Sequence, residues 1–192
     1  PRSTLFPYTT LFRSGWHGVG IYDDAHNNHV GNLSDPSRYN IIVSNGWSGV
    51  VVVNSASGSN YIVDNYILYN QYYGVHINTS FDNFIGSNTI SGNGIAGTYA
   101  GVRIEGSTSL SNAITMNSIY QNTGLGIQLV SGGNAEIDAP VITSATCSTV
   151  TGTTCSNCSV QIYSDNEDEG RVFETLRSEE RRVGKECRYR WS

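Results

Sequence analysis

Arg103 and Glu105 stand two residues apart in GVRIE, so on an extended strand a base and an acid leave by the same face. Such a pair could handle a proton, orient an anionic ligand or bind only itself; as a surface ion pair it is worth roughly 0.2 to 1 kcal/mol. His76, in the parallel phrase GVHI, is the third group of this kind. Asp23 and Asp24 are adjacent carboxylates. Inverting hydrolysis needs two carboxylates facing one bond at about 6.5 to 9.5 Å, and neighbours on a strand point to opposite faces, so this pair is expected in a loop. Cys155 and Cys158 form CSNC, with Cys147 nearby and no histidine after His76. Zinc would want four ligands and a redox pair a helix N-terminus; the turn-like Ser-Asn between strand-like runs suggests instead a disulfide across a hairpin end, or two structural thiols. Asp165, Glu167 and Glu169 alternate before Gly170 like the start of a calcium loop, yet Leu176 holds the twelfth position, where a bidentate Glu is required. A solvated acidic turn is expected there. Weak Ca²⁺ association is the single cofactor left open, and no other metal is expected.

The two ends of the chain are of another kind. Pro1–Ser14 (PRSTLFPYTTLFRS) back-translates to DNA whose opposite strand encodes RSEERRVGKECRSR, and Arg177–Arg190 reads the same except at Tyr189, one base away. Two unrelated protein segments would not be reverse complements, and the DNA resembles a widely used sequencing adapter. Residues 1–14 and 177–192 are therefore expected to be translated adapter and are set aside from fold reasoning. The expected native part, 15–176, is a piece of a longer frame, so a missing signal peptide carries no meaning. The whole chain has a net charge of −5, and between the flanks three arginines face thirteen acids, a net of −10. A surface this acidic repels phosphate backbones and anionic lipid, which excludes nucleic acid as a partner and leaves no apolar run for membrane insertion.

What would position these side chains is a repeat. GVGI at Gly18, GVVV at Gly49, GVHI at Gly74, GVRI at Gly101 and GIQL at Gly126 are copies of one phrase. Between them runs a second phrase, Asn at five-residue intervals with an apolar residue two places on: NYIVDNYILYN from Asn60, NFIGSNTISGN from Asn83 and NAITMNSIYQN from Asn112. Alternation in G-V-x-I describes a short half-buried strand, and each N-x-I-x-x unit a strand with a polar corner. One period is then three brief strands joined by bends, which can bury its apolar row only by stacking on its neighbours. The register predicts inward columns of Val19, Val50, Val75, Val102 and Ile127, of Ile62, Ile85 and Ile114, and of Ile67, Ile90 and Ile119. It also predicts ladders of Asn60, Asn83 and Asn112 and of Asn65, Asn88 and Asn117, with each amide bonding to the copies above and below. His76 falls beside Arg103, and Tyr61 beside Phe84 on the outside.

This text resembles right-handed parallel β-helix repeats, the group containing pectate-lyase-like and NosD-type copper-maturation accessory proteins. The fold class expected is all-β: a right-handed parallel β-helix solenoid of about four to five coils over 15–138, followed over 139–176 by the start of a β-sandwich module. The resemblance implies an exported protein, extracellular or at a bacterial cell surface, acting as a rigid adhesive or glycan-contacting scaffold. Tyr61, Phe84, Tyr66 and Tyr69 would touch a polysaccharide or cell-surface glycan, since rows of aromatic faces are what sugar rings stack upon. The alternative is a polysaccharide lyase or glycoside hydrolase, in which Arg103, Glu105 and His76 would be the catalytic candidates. The fold hosts both kinds of protein, and the oligomeric state is not legible from the residues.

Overall fold

In the computed structural model, residues 4–5, 11–32, 39–54, 58–146, 149–154, 160–164 and 169–177 are described. One repeat makes one coil of three strands. The first coil holds β1 (Thr4–Leu5), β2 (Leu11–Phe12) and β3 (Val19–Tyr22), and the second β4 (His29–Val30), β5 (Asn40–Val43) and β6 (Val50–Val53). The third holds β7 (Tyr61–Val63), β8 (Asn65–Leu68) and β9 (Val75–Asn78), and the fourth β10 (Phe84–Gly86), β11 (Thr89–Ser91) and β12 (Val102–Glu105). The fifth closes the stack with β13 (Ala113–Thr115), β14 (Ser118–Tyr120) and β15 (Ile127–Val130). Equivalent strands pair in parallel into three five-stranded sheets: β1-β4-β7-β10-β13, β2-β5-β8-β11-β14 and β3-β6-β9-β12-β15. These are called the first, second and third sheets below.

The register is that of the repeat. Val19, Val50, Val75, Val102 and Ile127 are paired in succession along the third sheet. Val50, Val75 and Val102 are fully buried, as are Ile62 and Ile85 in the first sheet and Ile42, Ile67 and Ile90 in the second. Each such side chain contributes about 1.5–3 kcal/mol by leaving water. Ile127 corrects one expectation, since it keeps its place in the column but is 44% exposed: among the described residues no sixth strand pairs with β15. At the other end, Thr4–Leu5 pairs with His29–Val30 and Leu11–Phe12 with Ile41–Ile42. The end of a parallel stack carries a row of unpaired N–H and C=O groups that an extended segment can complete through its backbone alone.

The corners are built by asparagine. Asn65 Nδ2 donates to Asn88 Oδ1 at 3.0 Å, and Asn88 Nδ2 to Asn117 Oδ1 at 3.0 Å. Asn60 Nδ2 donates to Asn83 Oδ1 and Asn83 Nδ2 to Asn112 Oδ1. A third ladder runs through Asn45, Asn70, Asn93 and Asn122. The backbone N–H of each coil's Asn also donates to the amide oxygen of the next, as from Asn65 to Asn88 and from Asn88 to Asn117. The residue before each ladder Asn is left-handed: Ser59, Asp64, Tyr69, Asp82, Ser87, Gly92, Ser111, Met116 and Gln121 have φ between 51° and 65°. That conformation turns the chain and folds the amide inward, at a cost of roughly 1–2 kcal/mol for a residue with a Cβ.

After the repeats come a short 3₁₀ turn, Gly133–Glu136, and two antiparallel pairs, β16 (Val141–Ala145) with β17 (Val150–Thr153) and β18 (Val160–Ser164) with β19 (Val172–Arg177). The span 139–176 is where the start of a β-sandwich module is expected. Among the described residues these four strands form two separate two-stranded sheets, with β16 exposed throughout.

Candidate functional site

The third sheet brings most of the chemistry-bearing side chains together. Within G-V-x-I the Val and Ile point inward, so the x residue must face out, and register sets Arg103 between His76 and Gln128. Glu105 Oε2 accepts from Arg103 Nε at 3.0 Å and from His76 Nε2 at 3.1 Å, while Arg103 Nη1 donates to Gln128 Oε1 at 3.0 Å. The guanidinium lies over the Tyr73 ring, 5.2 Å from its centroid. The Arg103 guanidinium holds the Glu105 carboxyl below the usual carboxylate range, aided by His76. Burial pushes the His76 imidazole below its ordinary value against the opposing pull of Glu105, and burial raises the Tyr73 phenol.

Beside this cluster runs an aromatic column. Trp16 stacks on Trp47 with centroids 5.8 Å apart and planes 19° from parallel, and Trp47 stacks on Tyr72 at 5.3 Å and 24°. Tyr72 meets Tyr99 at 4.6 Å, and Tyr99 meets Tyr73 edge-on at 5.0 Å. His17 approaches Trp47 edge-on, and its Nδ1 accepts from the Ser48 backbone N–H at 3.2 Å. Near-parallel rings at these separations are laterally offset, so each leaves part of a face uncovered. Trp16 is 71% exposed and Trp47 44%. Trp16, Trp47, Tyr72 and Tyr99 each sit two residues before the glycine of the G-V-x-I phrase, in GWHG, GWSG, QYYG and TYAG. That fixed offset was the signal for the column, and reading the phrase only from its glycine onward passes over it.

The other sequence candidates lie apart from this face. Tyr61 and Phe84 pair outward on the first sheet with centroids 6.0 Å apart, and His29 stacks on Tyr61 at 4.7 Å. Tyr66 is outward on the second sheet against Tyr39, and Tyr69 sits at the corner after β8. The four therefore divide between two sheets. Asp23 and Asp24 occupy a turn after β3, both with positive φ. Cys155, Cys158, Asp165 and Glu167 lie outside the described residues. Glu169 is described, and its Oε2 accepts from the Asn122 backbone N–H at 2.9 Å. Nothing in the described residues supports a calcium turn there, since among them no three His, Cys, Asp or Glu side chains converge as metal ligands. Nor is any helix among them long and apolar enough to cross a membrane.

Comparison with known proteins adds a family to this geometry. The family described as "Periplasmic copper-binding protein (NosD)" matches residues 13–139, about two thirds of the chain and all of the third-sheet phrases. No curated protein and no solved structure matches it. The matched span covers the stacked strands from β3 to β15 and stops short of the two antiparallel pairs, so it is the solenoid that carries the kinship. The chain belongs to the NosD family of periplasmic parallel β-helix proteins.

Proposed function

We propose that this chain is an exported β-helix scaffold that binds neutral carbohydrate along the column Trp16, Trp47, Tyr72 and Tyr99, with Arg103, Gln128 and Glu105 as flanking hydrogen-bond partners. The observation that carries the reading is an aromatic ring at the same place in four successive coils, exposed at Trp16 and Trp47 and half-buried at Tyr72 and Tyr99, with near-parallel stacking from Trp16 through Tyr72. Sugar rings present apolar C–H faces that pack on aromatic faces, and an exposed apolar row is the usual mark of a binding surface. An acidic chain favours a neutral glycan over a polyuronate. The family's description supports a place outside the cytoplasm, in the periplasm; adhesion at a cell surface is the finer form of the same proposal.

The test is affinity electrophoresis through gels containing a neutral β-glucan or, in parallel, polygalacturonate. Retardation in the first and not the second, lost in Trp47→Ala/Tyr72→Ala and retained in Tyr61→Ala/Phe84→Ala, is the expected result. Unretarded migration in every gel overturns the proposal.

Enzymatic cleavage of the glycan finds less support. A lyase base must be free to take a proton, whereas Arg103 is tied through Nε to Glu105 and through Nη1 to Gln128. Arg103→Ala would abolish the release of unsaturated uronate products only if that cluster were catalytic. The family's name also raises copper, which asks for imidazole, thioether or thiolate donors at one point. His76 Nε2 is engaged by Glu105, and Met116, the chain's one methionine, sits at the corner before Asn117 between the first and second sheets. The described residues do not fit a copper site, and no step is assigned to the metal.

A further inference from the structure

Among the described residues, the segment that carries β18 and β19 meets the solenoid at the open face of the fifth coil, and it does so with groups like those a sixth coil would bring. In the body of the stack each ladder Asn N–H donates to the amide oxygen of the next coil, as from Asn83 to Asn112, Asn88 to Asn117 and Asn93 to Asn122. At the last coil there is no next repeat, yet two of these three donors find an acceptor of the same kind. Asn112 N–H donates to Asn134 Oδ1 at 3.0 Å. The Tyr163 phenol lies by the Met116 and Asn117 backbone, which lowers its pKa against the raising effect of burial, and Asn122 N–H donates to Glu169 Oε2 at 2.9 Å.

The backbone repeats the imitation. A Cβ built on Gly18, Gly49, Gly74 or Gly101 would lie 2.6–2.9 Å from the carbonyl oxygen of the equivalent glycine one coil on; on Gly126 it would lie 3.0 Å from the carbonyl oxygen of Glu169. Glu169 thus stands in for a repeat glycine with its carbonyl and for a ladder asparagine with its side chain. Around it, Ile119 N–H donates to Gly170 O, Ser118 Oγ to Arg171 O, Met116 N–H to Gln161 Oε1, and the Arg171 guanidinium covers the Tyr120 ring at 4.6 Å. Buried N–H groups left without acceptors are costly, and an uncovered stack end is a template for another strand.

We propose that Val160–Ser164 and residues 169–177, together with Asn134, form the terminal cap of the β-helix, meeting the ends of its asparagine ladders and thereby blocking end-to-end pairing of the fifth coil with a second copy of this chain. The occupant of the end face is the chain's own segment. A second copy is what takes its place when the cap is removed, because its coils carry the same ladder groups in the same register.

The test uses the full chain. Hydrogen exchange is followed at the amides of Asn117, Ile119 and Asn122, with Ile67 and Ile90 as interior references, alongside sedimentation velocity over a range of concentrations. In Tyr163→Phe/Glu169→Ala the three end amides should exchange roughly tenfold faster or more with the interior unchanged, and the protein should pass from a concentration-independent monomer to growing oligomers. Glu169→Gln keeps an acceptor oxygen in place and should behave as the parent, which separates a lost cap from a lost fold. Unchanged end amides in the double variant, or a Gln variant as exposed as the Ala variant, overturn the ladder-ending role. Faster end amides in a protein that stays monomeric overturn the block on self-pairing, as does a parent that already associates.

Discussion

Glu105 accepts from Arg103 and His76 with one carboxylate oxygen, yet burial decides the direction in which His76 shifts. Burial lowers His76 in the folded chain, so between its ordinary value of about 6.5 and its folded value the unfolded chain binds a proton that the folded chain does not. Its contribution to stability is whole above about pH 6.5 and is lost as the pH falls through the folded value. His17, lowered by burial as well, acts in the same direction. Glu105 is also lowered, first by the Arg103 guanidinium, so its contribution is present above the ordinary Glu value of about 4.3 and disappears below it. The urea midpoint should therefore drop between pH 7.5 and 5.5, and less steeply in His76→Gln; parallel profiles for the two proteins would remove His76 from this account. Ser87 gives a second prediction at this scale. It is exposed, with φ 55°, and a β-branched side chain is strained in that conformation. Ser87→Val should lower stability by about 1–2 kcal/mol in chemical denaturation, a large effect for an exposed position.

At the scale of the strand and corner, stability depends on neighbours in adjacent coils. Asn88 donates to Asn117 Oδ1 and to the Ile62 carbonyl, and its own oxygen accepts from the Asn65 backbone and side chain. Asn88→Ala leaves several buried groups unmet at once and should cost about 3–5 kcal/mol. Asn88→Asp would keep the acceptor, lose the donor and place a charge among buried amides, so it should be at least as damaging. The aliphatic columns obey the same logic of coverage. Ile104 is fully buried between coils while Ile127 is 44% exposed at the end of its sheet, so Ile104→Ala should cost about 2–5 kcal/mol and Ile127→Ala well under half as much. Equal losses in urea denaturation would mean that the fifth coil is covered by something beyond the contacts described.

The whole molecule is a stack in which each coil touches chiefly the coils before and after it, so stability should be distributed along its axis. Hydrogen exchange should be slowest in β7 to β12 and quicken toward both ends, and a uniform profile would contradict the stacked-coil account. Much of this was present in the one-dimensional text. The G-V-x-I and N-x-I-x-x phrases determined strand periodicity, the inward columns and the asparagine ladders, because a repeat whose side chains alternate between faces can bury its apolar row in one register only. Even the His76–Arg103 neighbourhood followed from counting repeats. The ends and the outer surface did not. Ile127 has the residue type of a core position and lacks only a covering coil. The aromatic column depends on offset ring contacts across bends, and Tyr61 and Tyr66, five apart in sequence, part company because a corner lies between them. Glu169 looks in sequence like one acid of a polar turn; only the chain's return to the fifth coil, 47 residues beyond Asn122, makes it the end of a ladder. Repetition determines what each coil does to its neighbour, whereas contacts without a repeat to copy are decided by where the folded chain happens to meet itself.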